Sequence, residues 1–85
     1  MRNIKFKPEA FKDYSEWSQL NKKIYEKLMK LIVETARTPY EGTGKPEELK
    51  HELSNYWSRR ITEEHRLVYE VSDEDLIIIS CKYHY

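Results

Sequence analysis

The chain holds one cysteine, Cys81, with two glycines and three prolines in 85 residues. A single cysteine rules out an internal disulfide and a cysteine-based metal cluster, so neither staple can stand in for a core. Such a chain is expected in a reducing compartment, the cytoplasm. No apolar run approaches the ~20 residues that span a bilayer. The opening Met1-Arg2-Asn3-Ile4-Lys5-Phe6-Lys7 alternates, where a secretory leader would join a basic start to an apolar block. Net charge is missing too, with 15 basic residues against 15 acidic. A general nucleic-acid coat would be strongly basic, so that class is set aside, although a local basic patch is not. Internal repeats and low-complexity segments are absent. Gly42-Thr-Gly44-Lys45 is too short for a phosphate-binding loop and lacks its Ser or Thr. The three histidines stand far apart, and no zinc-ligand spacing such as His-Glu-x-x-His occurs.

What is present is polar. Charged residues make up 35% against a hydrophobic set of 39%, and the mean hydropathy of −0.89 implies a small core. The length fits one domain, residues 1–85, and would not hold two independent cores. Aromatics reach 13%, through seven Tyr, two Trp and two Phe. That is more than so small a core absorbs, so some rings are expected near the surface.

Ile4 and Phe6 alternate with Asn3, Lys5 and Lys7, the period of a short strand. Pro8 suits a first helical turn, and Phe11, Tyr14 and Trp17 recur at helical spacing, which predicts a helix over 8–20. Asn21 can cap a second helix carrying Ile24, Leu28, Leu31, Ile32 and Thr35 as its apolar stripe. That helix must stop before Pro39. Residues 38 to 48 hold both glycines and two of the prolines and read as a long loop, a place where function tends to reside. Strands follow at Tyr56 to Ile61, at Arg66 to Val71 and at Leu76 to Lys82, with a turn at Ser72-Asp73-Glu74-Asp75. In the last strand Ile77, Ile79 and Cys81 are read as the core positions. The expected class is α+β, β-α-α-β-β-β, with two N-terminal helices on one face of a small, mainly antiparallel sheet.

Charge is uneven. Residues 22 to 37 carry Lys22, Lys23, Lys27, Lys30 and Arg37 against Glu26 and Glu34, while residues 70 to 75 are acidic throughout their charged positions. The lysines are either a solvated helix face or a patch facing a polyanion. After the loop come Glu47 beside Pro46, then Lys50 and His51, the adjacent Arg59 and Arg60, His65 and Arg66, and His84 between Tyr83 and Tyr85. Neighbouring strand residues point to opposite faces, so Arg59 and Arg60 must part company. A carboxylate, guanidiniums and a histidine, with no cysteine nucleophile among them, suit acid–base chemistry on a phosphodiester. Each also has a plain explanation. Glu47 can be a solvated loop residue, Arg66 can pair with Glu63, Glu64 or Glu70, and His84 can simply be exposed. His51 and His65 read as structural.

The run from Gly42 through Lys45-Pro46-Glu47-Glu48-Leu49-Lys50-His51, Tyr56-Trp57-Ser58-Arg59-Arg60 and Glu63-Glu64-His65-Arg66 to Val71 resembles the signature of the Txe/YoeB family. The ending Cys81-Lys82-Tyr83-His84-Tyr85 and the upstream Arg37-Thr38-Pro39-Tyr40-Glu41 are similar to it as well. Members are toxins of type II toxin–antitoxin systems within the RelE/ParE superfamily, and the resemblance spans nearly the whole chain. It implies a RelE-like fold and a ribosome-dependent endoribonuclease that cuts mRNA in the A site and inhibits translation. By motif, Glu47 would be the general base, Arg66 the transition-state stabiliser and His84 the general acid. Lys50 and Arg60 would hold phosphate, and Tyr85 would orient the nucleotide. The implied products are a 2′,3′-cyclic phosphate or 3′-phosphate and a 5′-hydroxyl, with no cofactor and no metal. Implied partners are mRNA, the ribosome and a YefM-like antitoxin, and a homodimer is compatible with the resemblance. Two positions depart from the pattern: Glu48 stands where a second proline is usual, and Asn55 where glycine is common. Competing readings are a ribosome-independent RNase, a ParE-like gyrase inhibitor and a non-enzymatic antitoxin-binding co-repressor. The joint presence of Glu47, Arg66 and His84 argues against the last two.

Overall fold

The computed structural model describes residues 1–49 and 55–83. Strand β1 (Asn3–Phe6) leads through helix α1 (Pro8–Leu20) and helix α2 (Lys22–Arg37) to β2 (Glu47–Glu48), β3 (Tyr56–Arg60), β4 (Arg66–Val71) and β5 (Asp75–Ser80). The strands form one mixed sheet in the order β1-β5-β4-β3-β2. β1 runs parallel to β5, and every other neighbouring pair is antiparallel. The two helices pack against this sheet, as the patterning predicts.

The helix ends follow local chemistry. Pro8 opens α1, where its missing N–H costs nothing. Asn21 ends α1 and starts α2, its side-chain oxygen accepting from the Ile24 N–H at 3.2 Å. Helix α2 stops at Arg37, and the Thr38 N–H still reaches the Glu34 carbonyl at 2.8 Å before Pro39 turns the chain away. Leu28, Leu31, Ile32, Thr35 and Ala36 are its buried stripe. In α1 the buried positions are Ala10 and Trp17, while Phe11 is 57% exposed and makes an edge contact with Phe6.

Three expectations are revised. The stretch 38–48 is not loop throughout: Glu47 and Glu48 pair with Ser58 and Trp57, adding a short edge strand. A two-residue strand has no period of its own, so only its partner makes it visible. Ile77 and Ile79 are not core residues, since Leu76 and Ile78 are the fully buried ones in β5. The cause is a bulge. Tyr69 pairs with Ile78 but Val68 with Ser80, so Ile79 is skipped, the alternation changes phase and Cys81 returns to the interior. β5 also ends at Ser80 rather than Lys82.

The core joins Ala10, Trp17, Leu28, Leu31, Ile32 and Ala36 of the helices to Leu67, Tyr69, Leu76 and Ile78 of the sheet. Burying each large aliphatic side chain there is worth about 1.5–3 kcal/mol. The Trp17 indole N–H donates to the Cys81 carbonyl at 2.9 Å, which ties α1 to the chain leaving β5. The other sheet face carries Glu47 of β2, Ser58 and Arg60 of β3 and Arg66 of β4.

Candidate active site

Register decides which side chains meet. Glu47 lies opposite Ser58, Ser58 opposite Val68, and Arg60 opposite Arg66. Residues directly opposite in antiparallel strands share a face, so Glu47, Ser58, Arg60 and Arg66 rise from the same side of the sheet. An Arg66 Nη1–Glu47 Oε1 ion pair of 3.5 Å spans β4 and β2 across β3. The same nitrogen donates to Ser58 Oγ at 3.4 Å. Glu47 is therefore not a free loop carboxylate, and the partner of Arg66 is neither Glu63, Glu64 nor Glu70.

The two ends of the pair differ in environment. The Arg66 side chain is 24% exposed, that of Glu47 65%. The guanidinium is held against the sheet while the carboxylate stands in solvent beside it. Arg60 is exposed and presents a second cation opposite Arg66. Two guanidiniums and a carboxylate on one face are groups that can bind an anion and accept a proton. Among the described residues, no three His, Cys, Asp or Glu side chains converge as a metal site.

His65 is part of the framework. It is buried, its ring stands edge-on to Trp17 at 4.8 Å, and its Nδ1 accepts from the Tyr83 N–H at 2.7 Å. The Tyr83 carbonyl in turn accepts from the Arg66 N–H at 2.9 Å. Tyr83, the residue before His84, is thus fastened to the first residue of β4. Lys50, His51, His84 and Tyr85 lie outside the described residues.

Two side chains beside the site carry more than their sequence context suggests. Ser58 is fully buried and contacts Arg66. Arg59 is fully buried on the helix side of the sheet and ion-pairs with Glu34 of α2 at 3.3 Å. Strand alternation separates Arg59 from Arg60, as expected, but only the helices overhead show which arginine is enclosed.

The family model described as a YoeB-like toxin of bacterial type II toxin–antitoxin systems matches residues 6–85. The chain belongs to this family. It is 58% identical to Toxin YoeB of Escherichia coli K12 over 77 residues, covering 91% of this chain and 92% of that toxin. A solved YoeB dimer from Staphylococcus aureus superposes with a TM-score of 0.91 at 50% identity, covering 99% of this chain and 98% of that one. A chain of the solved YoeB–YefM complex from Staphylococcus aureus gives 0.88 at 51% identity, with 100% and 99% covered. YoeB-like membership brings this chain into the RelE/ParE superfamily and makes it a toxin of a type II toxin–antitoxin system.

Proposed function

We propose that this toxin is an endoribonuclease that cuts mRNA in the ribosomal A site and thereby stops translation. The observation that carries the reading is the Arg66–Glu47 pair at 3.5 Å on the sheet face turned away from Arg59, with Arg60 opposite Arg66. A phosphodiester placed between these groups meets a base and two permanent cations. Glu47 takes the proton from the ribose 2′-hydroxyl as its oxygen attacks the neighbouring phosphorus. Arg66, helped by Arg60 and Lys50, neutralises the charge that builds on the phosphorane oxygens. The bond from phosphorus to the 5′-oxygen breaks, and His84 supplies the proton that oxygen needs to leave. The products are a 2′,3′-cyclic phosphate, or the 3′-phosphate it opens to, and a 5′-hydroxyl. Tyr85 stacks on and orients the nucleotide.

The zero net charge agrees with a ribosome-dependent enzyme. An enzyme whose substrate is positioned by the ribosome has no need of a strong grip on free RNA. Residues 1–85 would act as one toxin domain in the cytoplasm, where the ribosomes are. By analogy with the YoeB–YefM complex, a YefM-like antitoxin would fold over the toxin and block this face; the YoeB dimer supports a homodimer in its absence.

The test supplies purified toxin to programmed ribosomes, to free mRNA and to gyrase in parallel, and maps any new RNA ends. Cleavage that requires ribosomes and leaves 5′-hydroxyl ends is the expected outcome. Cleavage of free mRNA at the same rate, or gyrase inhibition without cleavage, overturns it.

A further inference from the structure

Arg59 holds the segment that delivers Glu47. All five N–H donors of its guanidinium are used. Nε donates to the Tyr69 hydroxyl at 3.2 Å, and Nη1 to Glu34 Oε2 at 3.3 Å and the Thr43 carbonyl at 3.2 Å. Nη2 donates to the Thr38 carbonyl and to the Glu41 carbonyl, the latter at 2.9 Å. The Tyr69 hydroxyl donates to the Pro39 carbonyl at 2.6 Å, and Glu34 Oε2 accepts from the Thr43 N–H at 2.8 Å. Carbonyls at Thr38, Pro39, Glu41 and Thr43 are thereby fixed by one buried cation and its partners. Desolvating a guanidinium is costly, and apolar packing would close a loop with less penalty. What a satisfied fork adds is a defined chain path, residue by residue.

That path ends at Glu47. The Arg60 N–H donates to the Gly44 carbonyl at 2.8 Å, and a Cβ on Gly44 would stand 2.8 Å from the Arg60 carbonyl. The loop therefore lies tight on β3. Only Lys45, in the left-handed region at φ 51°, and Pro46 separate Gly44 from Glu47. With the proline ring fixing its own φ, few torsions remain to absorb a displacement. We propose that Arg59 and Glu34 form a positioning unit for Glu47, acting through residues 38–44 to set the carboxylate against Arg66 and the substrate. This rests on the reading of Glu47 as the general base.

The test is a double-mutant cycle in single-turnover cleavage of ribosome-bound mRNA, with melting temperature and antitoxin binding measured alongside. Glu34→Gln keeps the shape but removes the charge that holds Arg59. In the parent it should slow cleavage roughly ten- to a hundredfold, the range for a misplaced catalytic group. In a Glu47→Gln background it should add no further loss, because the group being positioned is gone. Equal slowing in both backgrounds, or a parental rate for Glu34→Gln alone, overturns the positioning role and leaves the catalytic reading standing. Glu47→Gln cleaving at the parental rate overturns that reading, and this inference with it. Should Glu34→Gln melt near the assay temperature, Gly44→Ala in the same two backgrounds displaces the same loop with both charges of the pair kept, its Cβ meeting the Arg60 carbonyl at 2.8 Å and the Arg59 Cβ at 3.2 Å, and the same criteria apply.

Discussion

Arg60 and Arg66 face each other across neighbouring strands, an arrangement of like charges that costs stability. Nor does the Glu47–Arg66 pair repay it, since a carboxylate this exposed contributes about 0–1 kcal/mol. A group that is poor for folding and well suited to an anion is best explained by the anion. Arg60→Ala should therefore raise stability by about 0.2–1 kcal/mol while weakening cleavage, a split that paired melting and cleavage measurements would reveal. Arg66→Ala should remove about 3–4 kcal/mol of transition-state stabilisation and still bind antitoxin. Full toxicity at matched expression would sink that role. Glu47→Gln should lose activity with little change in melting, with Glu48→Gln as the control that matters less. Were Glu48 the sensitive position, the base has been placed one residue early. At this scale the sequence is informative about which residue types suit phosphodiester chemistry, whereas the resemblance supplied their roles. The Glu47–Arg66 partnership was hidden because it depends on the register of three strands, and Arg59 because burial is a property of what lies above a strand.

Elements whose period is carried by their own residues were legible: β1 from Ile4 and Phe6, α2 from its stripe, the break between helices from Asn21. Features created by a partner were not. β2 exists through its pairing to β3, and the phase change in β5 through the bulge opposite Val68 and Tyr69. The revised phase has a measurable consequence. Ile78 is fully buried and Ile77 only half-buried, so Ile78→Ala should cost about 2–5 kcal/mol. Ile77→Ala should cost clearly less in the same denaturant titration. A larger loss at Ile77 than at Ile78 would put Ile77 in the core and overturn the revised phase.

Across the whole molecule, the pH dependence of stability is set by groups that keep or shed protons on folding. The Thr43 N–H, then Arg59, holds the Glu34 carboxyl below its ordinary value of 4.5, and hydrogen bonds from Lys5 and Asn3 do the same for Asp75. Both contributions are present above the ordinary carboxylate range and are lost as pH falls through the lowered values. At the other end, burial pushes the Cys81 thiol up from 9.0 to about 12. Burial, with the Tyr25 hydrogen bond, pushes the Tyr14 hydroxyl up from 10.0 to about 12. Burial also raises Tyr69 against the opposing pull of Arg59. The folded chain keeps these protons where the unfolded chain releases them, so stability should fall as pH rises from about 9 towards 12. Cys81 offers a direct readout. Its sulfur is fully buried, donates to the Ala10 carbonyl at 3.6 Å, and sits where Trp17 ties α1 to the chain beyond β5. An alkylating reagent at pH 8 should react with it only through opening of that junction. Its rate should then climb with urea as steeply as global unfolding does, and climb again as pH passes 9 at fixed urea. A rate indifferent to urea would show that α1 lifts from the sheet on its own, and that the Trp17 contact does not bind the helix to the fold.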